Sequence, residues 1–222
     1  MKKSRCLTIG LALLGMVVTS AWGGPASPGT EAFTFVQVCD PQFGWGYGYD
    51  NDVNSLRQAV THINGLKPDL VVICGDMADN FNDGSVADFL AVQSGFTMPS
   101  YCVPGNHDVG DSPTVERLER YRKAYGPDYY TVAHKGYTFV MVNACLWKTP
   151  VAGESEKQDA WLRQTLATAH GKGSPIFIVM HHPLYLSSPN EPEEYFNLPP
   201  AKRSELLALF VDSGVVAVLG GH

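Results

Sequence analysis

The chain has 222 residues, of which 45% are hydrophobic and 17% charged, with 22 Gly, 15 Pro and a formal net charge of −6. That is enough apolar material for one domain-sized core, and the wrong balance for a coiled coil, a collagen-like chain or a highly charged disordered segment. An acidic chain is also excluded as a sequence-independent nucleic-acid binder, which needs clustered Lys and Arg.

The N-terminus reads first as an address. Met1-Lys-Lys-Ser-Arg5 is basic, Cys6 to Val18 is apolar, and Thr19-Ser-Ala-Trp-Gly23 supplies small residues. This layout predicts a signal peptide over residues 1–23, cleaved after Ala21 or Gly23, because the apolar run is short for a membrane span. The expected mature protein is secreted or periplasmic and has no stable membrane association. It carries 13 basic against 22 acidic residues once Lys2, Lys3 and Arg5 are removed. Residues 24–32, rich in Gly, Pro and Ser, read as a linker, and residues 33–222 as a single domain.

Within that domain, short apolar runs predict strands at Phe33–Cys39, Leu70–Cys74, Ser100–Val103, Tyr129–Ala133, Tyr137–Asn143, Ile176–Met180 and Val215–Leu219. Apolar residues at helical spacing predict helices at Val53–Leu66, capped by Asn51 or Asp52, then at Ser85–Gln93, Val115–Tyr125, Glu156–Ala169 and Ala201–Asp212. Tyr129–Asn143 reads as a hairpin turning at His134-Lys-Gly136. Strands alternating with helices predict an α/β fold with helices packed outside the sheet. Cys39, Cys74, Cys102 and Cys145 lie in or at the end of apolar runs, so they are expected to be buried small hydrophobes rather than a disulfide framework.

The polar residues fall where the strands end. Cys39-Asp40-Pro-Gln42, Cys74-Gly-Asp76-Met-Ala-Asp79, Val103-Pro-Gly-Asn106-His107-Asp108, Met180-His181-His182-Pro183 and Leu219-Gly-Gly-His222 each follow an apolar strand directly. Ligands of open α/β sheets collect beyond the carboxyl ends of strands, so five such clusters are expected to meet at one site. Each cluster taken alone is an ordinary turn. Together, carboxylate and amide oxygens with imidazole nitrogens are the donor set of a divalent-metal site.

In that order these motifs resemble the calcineurin-like metallophosphoesterases over Phe33 to His222, with Gly105-Asn-His-Asp108 the most specific piece. Asp40-Pro-Gln-Phe-Gly44 and Tyr195-Phe-Asn-Leu198 are similar to the calcineurin-like phosphoesterase-domain-containing subgroup. The resemblance implies a β-sandwich flanked by helices with a binuclear centre at one edge. It implies two divalent ions (Mn, Fe or Zn), one held by Asp40, Gln42 and Asp76, the other by Asp76, Asn106, His181 and His222. His107 then resembles the family's catalytic histidine and Asp79 its pairing carboxylate. His182 takes a supporting position and Asp108 orients the loop by hydrogen bonding.

The implied reaction is phosphoester hydrolysis by a hydroxide shared between the two metals, with His107 stabilising charge or protonating the departing alkoxide. A phosphomonoester is the expected substrate; a phosphodiesterase or nucleotidase, and a metal-binding module of weak activity, are the alternatives. Gln42 stands where most of the superfamily has His. The family pattern Gly-His-x-His stops here at His222, which sets the expectation that the C-terminal part of the fold is missing. The aromatic stretch Phe43–Tyr49 reads either as a substrate entrance or as a loop with packing aromatics, and Tyr185, Tyr195 and Phe196 as a candidate facing wall.

Overall fold

A computed structural model describes residues 29–222; the leader expected over 1–23 and most of the 24–32 linker lie outside the described residues. In chain order the elements are β1 (Phe35–Val38), α1 (Tyr49–Leu66), β2 (Leu70–Ile73), α2 (Asp83–Gln93), β3 (Ser100–Cys102), α3 (Asn106–Val109) and α4 (Val115–Tyr125). They continue as β4 (Tyr130–His134), β5 (Tyr137–Met141), α5 (Cys145–Lys148), α6 (Glu154–Gly171), β6 (Ile176–Val179), α7 (Pro200–Asp212) and β7 (Val215–Leu219). All seven predicted strands and five predicted helices are present. The single turns α3 and α5 were not predicted; four residues are too few for a 3.6-residue period to register.

The strands form two sheets, as the sandwich implied by the family resemblance requires, and not the single sheet that strand–helix alternation alone suggests. The first, β1-β2-β3, is wholly parallel; the second, β4-β5-β6-β7, opens with an antiparallel hairpin and is parallel from β5 onward. Side chains alternate faces along a strand, and the core follows that period. On β2, Val71 and Ile73 face a helix-side cluster with Val53, Leu56, Phe89 and Leu118. Leu70 and Val72 face the other way, into a cluster with Phe139, Met141, Phe177 and Val179. Val140 on β5 and Ile176 and Ile178 on β6 turn outward onto Leu162, Leu166, Leu206 and Phe210 of α6 and α7. Two sheets therefore pack face to face between two helical layers. Because these strands are buried on both faces they read as continuous apolar runs rather than as an alternation, which hid the second sheet from a periodicity reading.

The interior between the sheets is aromatic at the end remote from the motif loops. Phe139 and Phe177 stack at 4.9 Å between centroids, and Phe33 and Phe35 meet them edge-on at 5.6–6.4 Å. The buried rings, Phe139 and Phe177, each contribute about 1.5–3 kcal/mol by removal from water, and the partly buried Phe33 and Phe35 less. At the same end Asp69 accepts from the backbone N–H of Thr34 at 2.9 Å and pairs with Lys135 of the β4–β5 turn, tying the two sheets together. The hairpin turns at Lys135 and Gly136, both at positive φ (46° and 83°), as a tight two-residue turn requires.

Two expectations are corrected. Helix α1 begins at Tyr49 rather than Val53, and neither Asn51 nor Asp52 caps it; the N-cap is Gly48. Asp52 instead points back and accepts the backbone N–H groups of Gly44, Gly46 and Tyr47 at 3.0–3.3 Å. This carboxylate gives the glycine-rich segment after the first motif a fixed shape. Cys39, expected to be buried, is exposed, because β1 ends at Val38 and releases it; Cys74, Cys102 and Cys145 are buried as expected, and all four are free thiols.

Candidate metal centre

The motif loops leave the carboxyl ends of β1, β2, β3, β6 and β7 at one edge of the sandwich. Ligand atoms of Asp40, Asp76, His181 and His222 all lie within 4.8 Å of one another. Asn106 joins them: its Oδ1 is 3.0 Å from His181 Nε2, which is also 3.0 Å from His222 Nδ1 and 3.3 Å from Asp76 Oδ2. Gln42 reaches the cluster through its backbone, its N–H donating to the Asp76 carbonyl at 2.8 Å. The two sheets meet here as well: Gln37 of β1 donates to the Gly220 carbonyl at 2.7 Å, and the His222 N–H donates to Asp40 Oδ2 at 2.9 Å.

Backbone strain collects at the same place. Among the described residues six non-glycine positions have positive φ, and four of them are Asp40 (51°), Gln42 (39°), Asp76 (55°) and His222 (70°). Left-handed backbone is uncommon outside Gly and costs on the order of 1 kcal/mol per residue, so it persists where surrounding contacts force it. Asp108 supplies much of that force. Its buried carboxylate accepts the N–H groups of Asp76, Gly105 and Met77 at 2.8–3.1 Å, locking the second and third motif loops together. This is the loop-orienting part expected of Asp108. Gly105 has to be glycine for the same closeness: a Cβ there would fall 2.1 Å from Asp76 Oδ1.

Electrostatics follow from crowding charges out of water. Burial, then the neighbouring Asp76, pushes Asp40 up to about 6, with His181 opposing. Burial and Asp76 likewise push Asp108 up to about 7. Burial of the His181 ring favours its neutral form, but the hydrogen bond and charge of Asp76, with Asp40 behind it, outweigh that and raise it to about 9. His222 falls to about 4, through burial and the proximity of His181. Asp40 and Asp108 are thus raised mainly by burial, while His181 is raised by Asp76, as expected where carboxylates and an imidazole are crowded together out of water.

The donor set fits a divalent cation. His181 Nδ1 lies 2.7 Å from the Cys74 carbonyl, an acceptor only, so it carries the proton and donates it. A neutral His181 then presents the lone pair of Nε2 to Asp76 Oδ2 and Asn106 Oδ1, both of which also accept. A protonated His181 could serve only one of them well. A cation satisfies them all, and a ligating histidine held by its other nitrogen on a backbone carbonyl is the usual arrangement. His222 adds a buried Nε2 without a hydrogen-bond partner.

Beside this cluster, His107 Nδ1 lies 3.1 Å from the Asp79 carboxylate and 3.0 Å from the Asp79 carbonyl, while its backbone N–H donates to Asp76 Oδ1 at 3.0 Å. The expected His107–Asp79 pair is therefore formed, and both side chains of the pair are half-buried at the edge of the cluster. Trp45 approaches the His107 ring at 5.8 Å. On the far side, Tyr195 and Phe196 lie against His222 at 4.9 and 5.2 Å between centroids. His182 is buried behind them, 4.4 Å from the His222 ring and 3.9 Å from the Cys145 sulfur; burial and its two histidine neighbours lower it to about 2. One contributor went unnoticed in the sequence and another was misassigned. Asp111 holds the Asn106 amide, and an isolated acid outside a motif carries no spacing signal; Asp52, expected to cap a helix, shapes the glycine-rich loop instead.

Residues 33–222 match the calcineurin-like phosphoesterase family. The chain is 32% identical over 228 residues to the human serine/threonine-protein phosphatase CPPED1, covering 91% of this chain and 70% of that one. It is 33% identical over 227 residues to the rat protein of the same name, covering 90% and 70%. Its fold is similar to the crystal structure of a dimetal phosphatase from Danio rerio, with a TM-score of 0.66 and 18% identity over 86% of this chain and 81% of the other. A family match over nearly all the described residues, on a site whose donors converge as shown, has one reading: the chain belongs to the calcineurin-like phosphoesterases, a family of phosphoric ester hydrolases.

Proposed function

We propose that this chain hydrolyses phosphomonoesters at a two-metal centre with Asp76 between the ions. The observation that carries the proposal is the convergence of Asp40, Asp76, His181 and His222, from four different loops, to within 4.8 Å of one another. Asp40, Gln42 and Asp76 would hold one divalent ion, and Asp76, Asn106, His181 and His222 the other. Divalent ions in such a site supply Lewis acidity, activating water and neutralising phosphoryl oxygens.

The remaining work falls to the chain's own residues. Asp79 takes the Nδ1 side of His107, so Nε2 is the nitrogen left to meet the substrate. A proton held there serves the departing alkoxide, and the paired carboxylate stabilises the imidazolium that donates it. No side-chain nucleophile is needed. Cys74 lies beside the site, but its thiol is buried and raised well above its usual range, with Cys39 and burial as the causes. The phosphomonoester reading is supported by the relatives, which are named serine/threonine-protein phosphatases. The basic, apolar and small-residue leader supports an exported enzyme.

The test is turnover by the chelator-treated chain after readdition of Mn, Fe or Zn, on chromogenic mono- and diesters side by side. Metal-dependent hydrolysis that favours the monoester is the expected result. Preference for the diester would move the assignment to phosphodiesterase, and no hydrolysis with either would leave a metal-binding module.

A further inference from the structure

Asn106 can serve a metal only if its carboxamide is the right way round, and the structure shows what sets it. The Nδ2 group donates to Asp111 Oδ1 at 2.9 Å and to the Tyr195 hydroxyl at 3.1 Å. A carboxylate cannot donate, so the atom facing Asp111 has to be the NH2. Oδ1 is thereby turned the other way, toward His181 Nε2. We propose that Tyr195, with Asp111, is a positioning residue that holds the Asn106 carboxamide with its oxygen toward the metal. The proposal rests on the metal-centre reading above.

Tyr195 is placed for this by a loop built to be rigid. The Arg203 guanidinium, fully buried on α7, donates to the carbonyls of Pro189, Glu191 and Leu198 at 2.7–3.0 Å. The Glu191 carboxylate accepts the N–H groups of Leu186, Ser187 and Ser188 and the Asn197 amide at 2.6–3.0 Å; those bonds hold it well below the usual carboxylate range. Lys148 donates to the carbonyls of Glu194 and Asn197, on either side of the aromatic pair. A half-exposed tyrosine on an unbraced loop would orient nothing; this one projects from a framework fixed on three sides. Losing a group one layer removed from a metal typically costs 10–100-fold in affinity.

The experiment is calorimetric Mn2+ titration of the wild-type chain, Tyr195→Phe and Asp111→Ala, with melting of each metal-free chain. Tyr195→Phe keeps the ring against His222 and removes only the hydroxyl. Its tighter Mn2+ step is expected to weaken about 10–100-fold, with the weaker step and the metal-free melting temperature unchanged. Asp111→Ala is expected to act on the same step. In an Asn106→Ala background, Tyr195→Phe is expected to have no further effect on that step. The Mn2+ EPR spectrum of Tyr195→Phe should also differ from wild type. Affinities within twofold of wild type in both single variants would overturn the proposal. So would equal weakening of both steps with a lowered melting temperature, which marks a structural part only. A wild-type chain that binds no Mn2+ would overturn it through the metal-centre reading, and that outcome shows in the wild-type titration alone.

Discussion

Asp76→Asn is expected to lower turnover more than about 100-fold and to reduce bound metal below one ion per chain. Groups one layer removed from a metal cost 10–100-fold when lost, and Asp76 is proposed to touch both ions directly. The fold should survive the change. Asn keeps an oxygen to accept the His107 N–H, now 3.0 Å from Asp76 Oδ1, and has nearly the same volume. It also removes one of the charges that push Asp40 upward. Metal content after gel filtration, together with melting of the metal-free chain, separates loss of metal from loss of fold. A variant that retains two ions and its turnover would show that Asp76 does not lie between them.

His107→Ala is expected to lower turnover about 10²–10⁴-fold with metal content intact, the range for losing a positioned general acid. The backbone N–H that supports Asp76 belongs to any residue at position 107, so the metal centre keeps that bond. The loss should shrink for esters whose leaving groups are very acidic, since these depart without a proton. A series of aryl and alkyl phosphates measures it. Equal loss across the series would assign His107 to charge stabilisation or positioning instead.

Much of this was legible in the sequence because it rests on short-range rules. A strand that ends in Asp, Asn or His advertises both the boundary and the chemistry, and Asp40, Asp76, Asn106, His181 and His222 do converge. The His107–Asp79 pair was implied by the family resemblance rather than by any spacing rule, and its side chains do meet. What was hidden is set by tertiary structure. Two stacked sheets and one sheet write the same apolar runs when both faces are buried, as Leu70–Ile73 and Ile176–Val179 are. Asp52 looked like a helix cap, but three backbone N–H groups of the preceding loop claimed its carboxylate. Cys39 looked buried by its neighbours, yet the strand stops one residue short of it. Asp111 and Tyr195 meet Asn106 across 5 and 89 residues of chain, and no spacing rule links them.

The central claim is that the five motif loops build one metal centre around Asp76. Anomalous diffraction from crystals grown with Mn2+ tests it most directly. Two peaks are expected at this edge of the sandwich, one on each side of the Asp76 carboxylate, with Asn106, His181 and His222 around one of them and Asp40 beside the other. The peak on the Asp40 side is expected to be the weaker, because fewer side chains are proposed to hold it. Peaks that avoid Asp76, or a crystal that takes up Mn2+ only elsewhere on the surface, would contradict the account.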